Sequence, residues 1–138
     1  MTSVSPDLRR SERTLALACS VDRGYDGSAP IAVAEIGPSL FFLADFVRCV
    51  QTPCEIDFLA IGGDAAARRF LTDLSRPVDG RDLLVVCDRI DDFDRMRFLL
   101  GAMRERGPRS LAIVSHEPIL RAEAAALGDV TILGERLS

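Results

Sequence analysis

Apolar residues in this chain fall into short solid runs and spaced stripes, taken in regular alternation. Ser5-Pro6 reads as an N-cap followed by proline at the first helical position, and Leu8, Leu15, Ala18 and Cys19 carry a helical stripe to about Val21. Gly24-Tyr25-Asp26-Gly27 ends it. Pro30 to Ile36 is an apolar strand, Gly37-Pro38-Ser39 a turn, and Leu40 to Val50 an apolar helix. Pro53 separates that helix from Glu55 to Ile61, a second strand. Gly62-Gly63-Asp64 breaks the pattern, and Ala65 to Leu74 fits either a helix or a pair of strands. Pro77-Val78-Asp79-Gly80 is a turn.

The run Leu83 to Cys87, with two adjacent valines, has the composition of a strand buried on both faces. Acids follow it at once. Phe93, Met96, Leu99, Leu100 and Met103 then recur at helical spacing as far as Gly107-Pro108. Ser110 to Ser115 is another strand, Ile119 to Leu127 a helix, and Val130 to Leu133 a last short strand. Strands alternating with helices predict a parallel sheet with helices on its faces. In such sheets ligands sit at the carboxyl ends of strands, which points to the acidic turn after Cys87.

Composition narrows this further. At 138 residues with 48% apolar content the chain is long enough for one domain with a real core. A net charge of -4 and a pI near 5.0 argue against nucleic acid as a partner. No apolar run reaches the roughly 18 residues of a membrane span, and the charged start (Asp7, Arg9, Arg10, Glu12, Arg13) lacks a signal-peptide core, so the expectation is a cytoplasmic protein with no membrane partner. Cys19, Cys49, Cys54 and Cys87 show no paired or metal spacing and read as inert thiols. Every cation is Arg; the chain has no Lys.

Cys87-Asp88-Arg89-Ile90-Asp91-Asp92-Phe93-Asp94-Arg95 resembles the turn of the type I phosphoribosyltransferases, the hypoxanthine-guanine branch in particular, where a strand ends in two acids, two apolar residues and Asp-Thr-Gly-x-Thr opening a helix. The likeness extends in order and spacing through Ala29–Val33, Phe42–Arg48, Glu55–Ala60, Val78–Val86 and Arg106–Leu111. It implies a single α/β domain over residues 1–138, of the Rossmann-like type I phosphoribosyltransferase fold, with a parallel sheet of about four to five strands flanked by helices. It also implies roles. Asp91 stands where the family has its general base. Asp88 matches one of two acids that hold the ribose hydroxyls; the other position is Cys87.

The departures fall at the working positions. The family's Lys-Gly dipeptide in the first loop matches Gly37-Pro38, and its long closing loop is reduced to the stretch Gly62–Ala67. A later Lys that reads the purine has no counterpart; Ser115-His116-Glu117-Pro118 is the near match. The resemblance further implies that the C-terminal segment covering the purine is cut short at Ser138. In the turn itself, Phe93 replaces glycine, and Asp92 and Asp94 bring negative charge where a phosphate should sit. One carboxylate at about 5 Å repels one unit of phosphate charge by roughly 3 kcal/mol at an effective dielectric near 20.

The expectation is therefore a degenerate, non-catalytic homologue acting as a binding or regulatory subunit, with a protein partner, a homo-oligomer or a nucleotide-like effector, and no cofactor. The alternative is an active purine-type transferase of altered substrate, with Asp91 as base and Asp88 with Mg²⁺. Ligand-binding candidates are Asp88, Asp92, Phe93, Asp94, Arg95, Gly37 and Gly62. Leu40, Phe41 and Phe42 run consecutively, and one helix face cannot bury all three, which makes them interface candidates.

Overall fold

The computed structural model describes residues 5–25 and 27–134; Asp26 and Ser138, named above, lie outside them. Helix α1 (Pro6–Gly24) starts as its sequence predicts, with Pro6 in the first turn and the Ser5 hydroxyl accepting the Leu8 N–H at 3.1 Å. Strand β1 (Ile31–Glu35), helix α2 (Ser39–Cys49) and strand β2 (Glu55–Gly62) follow. Then come β3 (Arg69–Thr72), β4 (Asp82–Cys87), α3 (Phe93–Glu105), β5 (Ser110–Ser115), α4 (Arg121–Ala126) and β6 (Thr131–Ile132).

The strands form one sheet in the order β3-β2-β1-β4-β5-β6. All neighbours are parallel except β2 and β3, so the sheet has six strands where about four to five were expected. The extra strand comes from the stretch after Gly62, which turns back as a hairpin. Gly63 makes that turn at φ +86°, and a Cβ there would lie 2.0 Å from the Ala67 carbonyl oxygen, so only glycine fits.

Period-two alternation sends each strand's side chains to two cores. Ala32, Ala34, Leu84, Val86, Ala112 and Val114 face α1 and α2, meeting Leu17, Val21, Phe42 and Phe46. Ile31, Val33, Leu59, Leu83, Val85 and Ile113 face α3, meeting Met96, Leu100 and Met103. β4 is buried at every position, as its unbroken apolar run implies.

At the strands' amino ends the buried Asp82 is fully partnered. It accepts from Ser28 Oγ at 2.5 Å, Ser110 Oγ at 2.6 Å and Arg109 Nε at 3.1 Å. The Arg109 guanidinium holds its carboxyl well below the usual range, against the opposing effect of burial.

Candidate functional site

After β1 the chain moves outward through α2 to β2 and β3; from β4 it moves the other way to β5 and β6. The direction reverses between β1 and β4, and open sheets of this kind form a crevice at that point, at the carboxyl ends. A cavity of about 420 Å³ lies there, walled by the loops that follow β1 and β4. Val85, Val86, Met96 and Leu99 form its apolar floor. Its charged wall holds four carboxylates (Glu35, Asp88, Asp91, Asp92) and two guanidinium groups (Arg89, Arg95).

Local chemistry fixes both loops. Gly37 has φ +147° at the turn into α2. The Ser39 hydroxyl then accepts the Asp88 N–H at 3.2 Å, tying one loop to the other. The backbone carbonyls of Cys87 and Asp88 accept from His116 and Glu117 at 3.0 and 2.8 Å, which anchors the second loop to the end of β5. Asp92 is the N-cap of α3, its Oδ1 accepting the Arg95 N–H at 3.1 Å, and that bond is the main cause of its lowered carboxyl pKa.

Ion pairs occupy the charged groups of the wall. Arg95 donates through Nε to both Glu35 oxygens at 3.1 and 3.0 Å, and through Nη2 to the Ile61 carbonyl at 2.7 Å. Its pKa is raised by the Glu35 hydrogen bond first. Arg10, reaching across from α1, donates to Asp88 Oδ1 at 2.7 Å. Arg89 pairs with Asp91 at 2.7 Å, and Arg68 with Asp92 at 3.3 Å. Cys87 is buried, and burial pushes its thiol up to about 12, so it is a neutral group.

The structure thus brings Gly37, Asp88, Asp91, Asp92 and Arg95 together on one cavity wall. It places the other expected ligand residues elsewhere. Phe93 turns its ring into the α3-side core. Asp94 pairs with Arg97 on the helix flank. Gly62 packs against Leu71, where a Cβ would meet that side chain at 2.7 Å, and is no part of the cavity. Among the interface candidates, Phe41 is 80% exposed and Leu40 half-buried, but Phe42 is a core residue at 1% exposure, with its ring 5.8 Å from that of Phe46. His116 sets its ring edge-on to Phe42 and sits 3.3 Å from Arg10.

Sequence reasoning missed Glu35 and Arg10. Glu35 had a signal, an acid closing an apolar strand at the end where ligands bind. Arg10 had none, since its partner is 78 positions away.

Asp88 and Asp91 would hold magnesium, implied by the resemblance, in exchange for their exposed guanidinium partners and together with oxygens of a substrate. Among the described residues no three His, Cys, Asp or Glu gather as metal ligands. Among the same residues, no helix is long and apolar enough to cross a membrane.

No family model matches the chain. Solved structures do. A hypoxanthine-guanine phosphoribosyltransferase from Leishmania donovani superposes with a TM-score of 0.77 at 20% identity, covering 94% of this chain and 82% of that one. One from Bacillus anthracis gives 0.75 at 22% identity, covering 87% and 70%. This is the type I phosphoribosyltransferase fold. Sequence comparison points to the same phosphoribosyltransferases. The hypoxanthine phosphoribosyltransferase of Salmonella typhimurium is 33% identical over 119 residues, 78% of this chain. The hypoxanthine-guanine phosphoribosyltransferase of Bacillus subtilis is 27% identical over 105 residues, 72% of this chain. The matched region spans 65% and 58% of those two relatives.

Proposed function

We propose that this phosphoribosyltransferase homologue binds and does not catalyse, serving as a binding or regulatory subunit for a protein partner or a nucleotide-like effector. The observation that carries the reading is the start of α3. Where a phosphate needs free backbone N–H groups at a helix N-terminus, the Arg95 N–H already donates to Asp92. Phe93 fills the position where glycine would let a phosphate approach the backbone. The cations around that turn are already paired, Arg95 with Glu35, Arg68 with Asp92 and Arg89 with Asp91. The wall that would meet a phosphate therefore presents carboxylates and occupied donors.

A second reading keeps the transferase alive with an altered substrate. It is favoured by the persistence of the cavity itself and by Asp91, whose carboxylate remains on its wall as a possible base. Incubation with phosphoribosyl pyrophosphate, Mg²⁺ and hypoxanthine, guanine or xanthine separates the two. No nucleotide should form. Turnover abolished by Asp91→Asn would establish the second reading instead.

A further inference from the structure

We infer that the candidate cavity takes an uncharged, ring-bearing ligand with hydroxyl or amino donors, a nucleoside without its phosphate, and discriminates against the phosphorylated form. Each charged group of the wall is already balanced by the chain itself. Glu35 pairs with Arg95, Asp88 with Arg10, Asp91 with Arg89 and Asp92 with Arg68, so four carboxylates meet four guanidinium groups. An anion can bind there only by crowding or displacing a carboxylate, and a cation only by displacing a guanidinium. Either exchange strands a charge that has lost its partner. An uncharged molecule leaves all four pairs intact and brings no charge to desolvate.

The pairs differ in what they leave for a ligand. Arg95 is fixed from three elements: its own helix, Glu35 at the end of β1, and the Ile61 carbonyl of β2 at 2.7 Å. The guanidinium that a phosphate would seek thus already carries a carboxylate of the chain's own, the reverse of what the resemblance implies. Asp88 and Asp91 are more open. Each accepts its arginine on Oδ1 at 2.7 Å, which keeps Oδ2 for a hydroxyl or amino donor of the ligand. Beneath them Val85, Val86, Met96 and Leu99 offer a flat ring an apolar floor, and about 420 Å³ lies within the range of small-molecule sites. The inference rests on the effector form of the binding reading above. Nucleotide formation from phosphoribosyl pyrophosphate, with the preference for the unphosphorylated ligand intact, would sink that reading alone. A reversed preference without turnover would sink this one alone.

Calorimetric titration of the full chain with inosine, guanosine and adenosine, each against its own 5′-monophosphate, is the test. At least one nucleoside should bind, and its monophosphate should bind about 5- to 30-fold more weakly. Glu35→Gln should close most of that gap by strengthening the monophosphate, because Arg95 then has charge to offer. A monophosphate that binds the native protein as tightly as its nucleoside overturns the inference. So does failure of all three nucleosides to bind, or a gap that survives Glu35→Gln.

Discussion

Glu35→Gln should raise this protein's affinity for phosphate. The substitution keeps the side chain's size and removes the charge that neutralises Arg95. A phosphate on Arg95 would sit about 5 Å from the Glu35 carboxylate, which repels each unit charge by roughly 3 kcal/mol at an effective dielectric of about 20. The two side chains are 34% and 29% exposed, so solvent and salt reduce that to about 1–2 kcal/mol. The expected gain is roughly 5- to 30-fold in the association constant. Stability should fall by about 1 kcal/mol or less, because a half-exposed pair contributes little and the Ile61 carbonyl still holds Arg95. Calorimetric titration with a nucleoside monophosphate, native protein against variant, reads the difference directly. Micromolar binding by the native protein, unchanged in Glu35→Gln, would show that the Arg95–Glu35 pair does not guard the site.

Two further substitutions test the scaffold. Asp82→Asn removes the charge that three donors share; with Arg109 free to rehydrate, the loss should be about 2–3 kcal/mol in urea unfolding. Because the folded carboxyl is held below its unfolded value of about 3.9, its contribution is complete above that pH and fades as pH falls below it, so the variant should lose less stability on acidification than the native protein. Gly63→Ala should cost roughly 2 kcal/mol or more through its positive φ and the clash with the Ala67 carbonyl, and a change within about 0.5 kcal/mol would refute the turn geometry.

What the chain disclosed before folding, and what it withheld, follows from the range of the forces involved. β4 and α3 were readable to within a residue or two because solid and periodic apolar patterns are local, and Asp92 lies just ahead of the first periodic residue, where caps belong. The closed state of the site was only half readable. Asp92 and Phe93 announced it, but the Glu35–Arg95 and Arg10–Asp88 pairs join residues 60 and 78 positions apart, and only sheet order brings them together. β3 stayed ambiguous because an edge strand buries no whole face, so Arg69–Thr72 has no clear period. Which of Leu40, Phe41 and Phe42 turns inward stayed open, because three consecutive apolar residues do not reveal it; Phe42 is the one buried.

The sheet's two margins also limit how the molecule can misassociate. Among the described residues it ends on one side in β3, four residues long and opened by Arg69, and on the other in β6, two residues long. Short margins, one of them opened by a cation, offer little template for strand-to-strand growth, the usual route by which open sheets run into fibrils and exchanged hairpins. A chain with its borders blunted in this way can expose aromatic rings on one face and still remain a discrete particle.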